Sequence, residues 1–338
     1  MILRIVRGRL PAGTDADALG TLRERLAAAA RDVSGLDSLI VGTRGGAQAD
    51  GPVEAVLLTI WRDVDSMARA TAVGEQDRLL GLRLHLPLEM EQVVYYELAG
   101  RMFAALPSDL PVYLRILTVR SRQHEEARLI ETLRAQQRTL VRMGLIASHL
   151  ARRVVGSECE AVSVGVWPDP GTLAATGSRL DAPLFEEDLA DWHGRIRLET
   201  YDGIEIAPRL PEVSGPPIFV IDGDLRIVDV TGHAAATLGW PAEDLVGRRV
   251  PEISADDADA RARRLETFLS QGTLEGESAW HVSPLGEVMI RFAARRDSPV
   301  PGRHTILVRR WNEPAPTIDD LDAAVRSAFG DPGAQRRP

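Results

Sequence analysis

The chain has 338 residues, 44% of them hydrophobic, which is enough for packed cores in two or three domains, and it carries 49 acidic against 40 basic residues, a formal charge of −9. That balance argues against wholesale binding to nucleic acid or anionic membranes, and no apolar stretch approaches the roughly 20 residues that span a bilayer. The opening MILRIVRGRL is too short and too charged for a signal peptide, so a soluble cytoplasmic protein is expected, without nucleic-acid or membrane partners.

Lysine is absent, which removes Schiff-base chemistry, Walker-type phosphate loops and the kinase strand lysine. A single cysteine, Cys159, excludes internal disulfides, cysteine zinc sites and iron–sulfur clusters. The histidines (85, 124, 149, 193, 233, 281, 304) include no pair three or four apart, so no helical metal pair exists and no metal site is expected.

In chain order, residues 2–9 read as a strand closed by Pro11 and Gly13. Thr14 and Asp17 resemble a capping box, before Leu19, Leu22, Leu26, Ala30 and Val33 at helical spacing. SLIVGTR (38–44) and VEAVLLTIW (53–61) are two strands around a Gly-rich turn, followed by a helix through Met67 and a strand at 92–98. The pattern then repeats: EAVLLTIW at 54–61 returns as EAVSVGVW at 160–167, each copy followed two places later by Asp63 or Asp169. Leu3-Arg4-Ile5 matches Leu114-Arg115-Ile116, and Gly35-Leu36 matches Gly144-Leu145. The second copy predicts strands at 112–120, 145–155, 159–167 and 195–201, with a helix over 124–142 and a short one from Thr172.

The order β-α-β-β-α-β is the ferredoxin-like split βαβ unit, an antiparallel sheet with both helices on one face and the other face bare. Two such sheets in one chain predict an α+β fold in which residues 1–100 and 111–206 pack face to face as an intrachain, pseudo-symmetric barrel. The residues just quoted, with the ends LLTIW-Arg-Asp and SVGVW-Pro-Asp and the closing VVYYEL, resemble the antibiotic-biosynthesis-monooxygenase-like members of the dimeric α+β barrel superfamily. That resemblance implies a pocket between sheet and helices near the β3 tryptophan, here Trp61 and Trp167. Enzymatic members commonly use Asn and His there; neither repeat contains Asn, and His85 and His193 align with no catalytic position. The plain alternative makes both tryptophans filling between strand and helix. Arg4 and Arg115 share one strand face, which reads as an anion pocket or, more simply, a solvated face.

A Pro-rich linker (207–216) precedes a change of composition. Val220-Ile221-Asp222, Arg226-Ile227-Val228, Leu238-Gly239-Trp240 and Glu243 to Gly247 then resemble the start of a PAS domain, placed at 217–312. A helix at 256–271 and strands at 274–283, 286–295 and 303–311 complete it. The resemblance implies a five-stranded sheet around a small cavity. The cavity candidates are His233, Leu238, Phe268, Val288, Ile290, Phe292, Ile306 and Val308, while Trp280 and Trp311 are left open between the interior and the outer sheet face. No cofactor is expected, with haem and flavin left open: the domain has no Cys for flavin photochemistry, and its long helix has no His for haem. Residues 313–338 predict an amphipathic helix capped by Thr317, with Ile318, Leu321, Val325 and Phe329 on one stripe, and a disordered end. No output domain is left to place.

Together these features suggest a sensory or regulatory protein. Its PAS module binds a small apolar or aromatic ligand and acts through a signalling partner or a homodimer formed on the PAS sheet, joined to a non-catalytic barrel. The alternative is a cofactor-independent monooxygenase acting on an aromatic substrate in a barrel pocket lined by Trp61, Trp167, Arg4 or Arg115. It would draw its acid or base from His85, His193, Tyr95, Tyr96 or Tyr201. A scaffold role in assembly is the third reading.

Overall fold

The computed structural model describes residues 1–10, 20, 21, 24–26, 30, 33–44, 53–71, 89–103, 111–176, 192, 195–206, 215–238, 240, 242–283, 286–311 and 313–330. The Thr14/Asp17 box, the Gly-rich turn, His85, His193, linker residues 207–214 and the tail from 331 lie outside them. The chain divides into two compact units, Met1–Arg101 with Leu106–Arg209, and Met102–Ala105 with Leu210–Pro338.

In the first unit, leucine-rich and β-branched runs form β1 (Ile2–Leu10), β2 (Leu36–Arg44) and β3 (Val53–Trp61), followed by α1 (Val64–Thr71) and β4 (Glu89–Phe103). The second repeat gives β5 (Pro111–Arg122), α2 (Glu126–Arg142), β6 (Ala147–Val155), β7 (Glu158–Trp167), α3 (Pro170–Ala175) and β8 (Ile196–Ile206). Leu129, Leu133 and Leu140, on one stripe of α2, are buried. The short helix begins at Pro170, because Asp169 caps it by accepting from the Thr172 amide at 2.8 Å. Asp63 does the same for Ser66 at 2.6 Å in the first repeat.

Strand order runs β1-β3-β2-β8-β5-β7-β6-β4, and β4 pairs back onto β1. The two ferredoxin-like sheets therefore do more than stack: they hydrogen-bond edge to edge, β2 to β8 and β6 to β4, into a closed eight-stranded barrel. Closure leaves no backbone edge unpaired. It also explains why β8 outruns its predicted end at 201, since residues 202–206 are the ones paired with β2. Gly35 and Gly144 both adopt positive φ (83° and 107°) against Ser66 and Thr172, so this repeated strand entry has room for no side chain.

The second unit builds a five-stranded antiparallel sheet, β11-β12-β13-β9-β10, from β9 (Ile218–Asp222), β10 (Ile227–Val230), β11 (Thr273–Ser283), β12 (Gly286–Arg295) and β13 (Arg303–Arg310). Between β10 and β11 lie α4 (Gly232–Leu238), α5 (Ala242–Leu245), α6 (Val250–Ile253) and α7 (Ala258–Gln271). This is the PAS arrangement. One sheet face and these helices enclose a core that includes Phe219, Leu238, Phe268, Trp280, Ile290 and Val308. The other face, Ile218, Val220, Ala293 and Leu307, is covered by Leu321 and Val325 of α8 (Ile318–Phe329). Thr317 caps α8 as expected, and an Arg295–Asp322 ion pair at 2.6 Å fastens it. Among the described residues no helix is long and apolar enough to cross a membrane.

Candidate functional site

On the helix-covered face of the barrel, strand pairing sets Arg4 opposite Thr59 and Tyr95, with Trp61 two residues from Thr59. Trp61 is fully buried, and its indole N–H donates to Thr59 Oγ1 at 2.9 Å. Arg4 is 6% exposed, so the solvated-face reading is corrected: the side chain is buried. Its Nε and one Nη have no hydrogen-bond partner among the described residues, and the guanidinium sits 6.0 Å from the Tyr95 ring. In the second repeat Arg115 is buried over the Trp167 ring at 5.3 Å, and burial lowers its pKa to about 10. Trp167 and Trp61 are thus core aromatics, each on the face that carries its repeat's arginine.

The PAS core contains a cavity of about 190 Å³. Phe268 and Leu265 of α7, Trp280 of β11, Phe292 and Ala294 of β12, and Ile306 of β13 are part of its apolar wall. Of the sequence candidates, Phe268, Phe292 and Ile306 line it. Leu238, Val288, Ile290 and Val308 are buried in the same core but off the wall, and His233 is half-buried at the start of α4, also off it. Trp280, left open from sequence between the interior and the outer face, points inward and meets Phe219 edge-on at 5.2 Å. It shares strand phase with Ser278, which also lines the cavity, so alternation along β11 carried the signal. Trp311 remains outside, half-buried, with Arg291 over its ring at 4.4 Å.

A polar latch borders this cavity, for Ser254, Arg264 and Ser278 line it. Asp256, just before α7, accepts from Arg264 at 2.5 Å, from the Ser278 and Ser254 hydroxyls, and from the Ala279 amide at 3.4 Å. Burial raises the Asp256 carboxyl, but Arg264 and Ser278 outweigh it and hold it below the usual carboxylate range. The latch therefore ties α7 to β11 through an ionised group. In sequence Asp256 sits within SADDADA and looks like one more capping residue, which is why it escaped notice.

Among the described residues no group of three or more His, Cys, Asp or Glu is placed to hold a metal ion. Residues 209–278 match the family model described as the PAS fold. No curated protein matches the chain. Among solved structures, the chain is similar to a candidate monooxygenase from Fusobacterium nucleatum, at 9% identity and a TM-score of 0.45 over 61% of this chain and 92% of that one. It is similar also to an anthrone oxidase-like protein, at 14% identity and a TM-score of 0.41 over 62% and 94%. A PAS domain of an HTR-like protein from Haloarcula marismortui matches at 21% identity and a TM-score of 0.26, over 29% and 82%. In fold, the chain is a pair of ferredoxin-like repeats closed into one barrel, followed by a region that matches the PAS fold over residues 209–278.

Proposed function

We propose that this is a cytoplasmic sensory or regulatory protein whose PAS cavity takes up a small apolar or aromatic molecule and reports it to a signalling partner or a second copy of the chain. The observation carrying this reading is the cavity of about 190 Å³ walled by Phe268, Trp280, Phe292 and aliphatic side chains. An apolar cavity of roughly 150 Å³ takes up benzene, so a one- or two-ring molecule fits here. A ligand pressing on Phe268 and Leu265 bears on α7, the element held by Asp256, which couples occupancy to the latch.

Indole titrated into the full chain should raise the melting temperature, and Ala294→Leu, which fills the cavity from β12, should abolish that response while the variant itself stays folded. No shift with either benzene or indole at saturation, or an equal shift in Ala294→Leu, sinks the reading.

A second reading, a cofactor-independent monooxygenase acting on an aromatic substrate, is favoured by Arg4. A buried guanidinium with free N–H groups beside Tyr95 suits a phenolate or enolate anion. Oxygen uptake with a dihydroxynaphthalene should then vanish in Arg4→Met. Undiminished uptake in that variant removes Arg4 from the chemistry and this reading with it.

A further inference from the structure

The barrel interior changes character along its length. Strand alternation and pairing turn Leu3, Ile5 and Arg7 of β1, and Leu114, Ile116, Thr118 and Arg120 of β5, away from the helices. At the apolar end these side chains make a packed core. At the other end Arg7, Thr118, Arg120, Arg153, Arg195 and Arg197 are among the residues surrounding a cavity of about 470 Å³.

Two carboxylates organise the arginines. Glu199 pairs with Arg7 at 2.7 Å and Arg197 at 2.9 Å, and accepts from the Tyr201 hydroxyl at 2.9 Å. Glu160 pairs with Arg120 at 2.9 Å and Arg153 at 2.7 Å, and accepts from the Tyr96 hydroxyl at 2.7 Å. Four guanidiniums thus share two carboxylates whose remaining acceptor positions are taken by tyrosine. Arg195, Glu158, Ile196 and Gln92 also line the wall, with Arg195 3.7 Å from Glu125 and Gln92 accepting from Arg7 at 3.4 Å. Even with Glu125 and Glu158 included, arginines outnumber carboxylates. Each guanidinium has five donors, so many N–H groups are left to face the cavity.

Thr118 points independently to a ligand. Its side chain is part of the cavity wall and the residue is only 9% exposed, yet the hydroxyl has no hydrogen-bond partner among the described residues. Buried hydroxyls are rarely left unpaired. We propose that this end of the barrel binds one small oxyanion, a carboxylate or a phosphate, that accepts from Thr118 and from the surplus arginine N–H groups. This site is separate from the PAS cavity and from the helix-covered face, and it stands without either functional reading above.

The test is calorimetric titration of the full chain with sodium succinate and with sodium phosphate at constant ionic strength, with sodium chloride as control. One binding event per chain is expected for at least one oxyanion and none for chloride; whichever oxyanion binds identifies the ligand class. Arg120→Gln and Arg197→Gln remove side chains that are 63% and 60% exposed and leave Glu160 and Glu199 each with an arginine and a tyrosine, so folding persists. Each should weaken binding about tenfold or more, as should Thr118→Val, which keeps the shape of the wall. If neither oxyanion binds the parent protein, or if affinity is unchanged in all three variants, the proposal is overturned.

Discussion

In the first repeat Trp61 donates its indole N–H to Thr59; in the second, Gly165 stands at the position of Thr59, and Trp167 has no acceptor among the described residues, with Arg115 stacked on its ring instead. The barrel interior diverges in the same way. Arg7 and Glu199 form a buried ion pair, while the corresponding positions across the pseudo-two-fold hold Thr118 and Val94. What the repeats keep in common is what the backbone needs: Gly35 and Gly144 at positive φ, Asp63 and Asp169 as helix caps, and a tryptophan filling the end of the third strand. What they vary lies at the tryptophan corner and inside the barrel. The result is a nearly symmetric scaffold with an asymmetric interior.

The strongest way to break that asymmetry is Glu199→Val, which installs the residue of the other repeat. Glu199 is 3% exposed, and its loss strands Arg7 and takes the acceptor from Tyr201. Removing one partner of a buried pair costs about 3–5 kcal/mol. The double change Arg7→Thr with Glu199→Val reproduces Thr118 and Val94 and strands no charge, so it should cost roughly half as much or less. Burial pushes the Glu199 carboxyl up, but the Arg7 hydrogen bond and charge, with Tyr201 and Arg197, hold it below the ordinary carboxylate range. Its contribution is therefore complete above the unfolded value of about 4.3 and is lost as pH falls through the lower folded value. Urea melts of the three proteins from pH 7 to pH 3 check both points: the acid-side loss seen in the parent should flatten in Glu199→Val. A double variant as unstable as the single one would mean that the ion pair itself, rather than the stranded charge, sets the cost.

Much of this was legible in the sequence because repetition doubles every signal. The octamer, the Gly-Leu steps and the Trp-x-Asp ends each appeared twice, and together they specified two ferredoxin-like units and their pairing in one chain. The PAS strands were legible for a different reason, since turn residues such as the Asp222 to Asp224 run separate short apolar strands. Charged residues inside the barrel were not. Arg7 follows Leu3 and Ile5 in phase, but a lone arginine at a strand end reads as solvated until the partner strand supplies Glu199, 192 residues away. Arg4 and Arg115 were named as pocket candidates but read more simply as solvated, because nothing in the strand pattern announces their burial. Trp280 was left open between the two sheet faces because its in-phase neighbours, Ser278 and Gly276, are small and carry little hydrophobic signal.

The smallest effect separates the two tryptophan corners. Thr59→Val keeps the volume at a fully buried position but removes the acceptor of the Trp61 indole, making the first repeat resemble the second. An unpaired buried donor costs about 1–3 kcal/mol. The cost should disappear when the donor is already absent, so Thr59→Val introduced into Trp61→Phe should be close to neutral, a coupling that urea denaturation of the four proteins measures directly. Trp167→Phe forfeits no hydrogen bond, so it should lose only ring area and the Arg115 stacking, and less than Trp61→Phe. The reverse exchange is closed to the second repeat. A Cβ at Gly165 would lie 3.1 Å from both Leu145 Cδ1 and Trp167 Nε1, so crowding opposes any acceptor placed there. If Trp167→Phe proves the costlier of the two, the stacked arginine rather than the buried N–H distinguishes the corners, and Arg115 becomes the residue on which the second repeat depends.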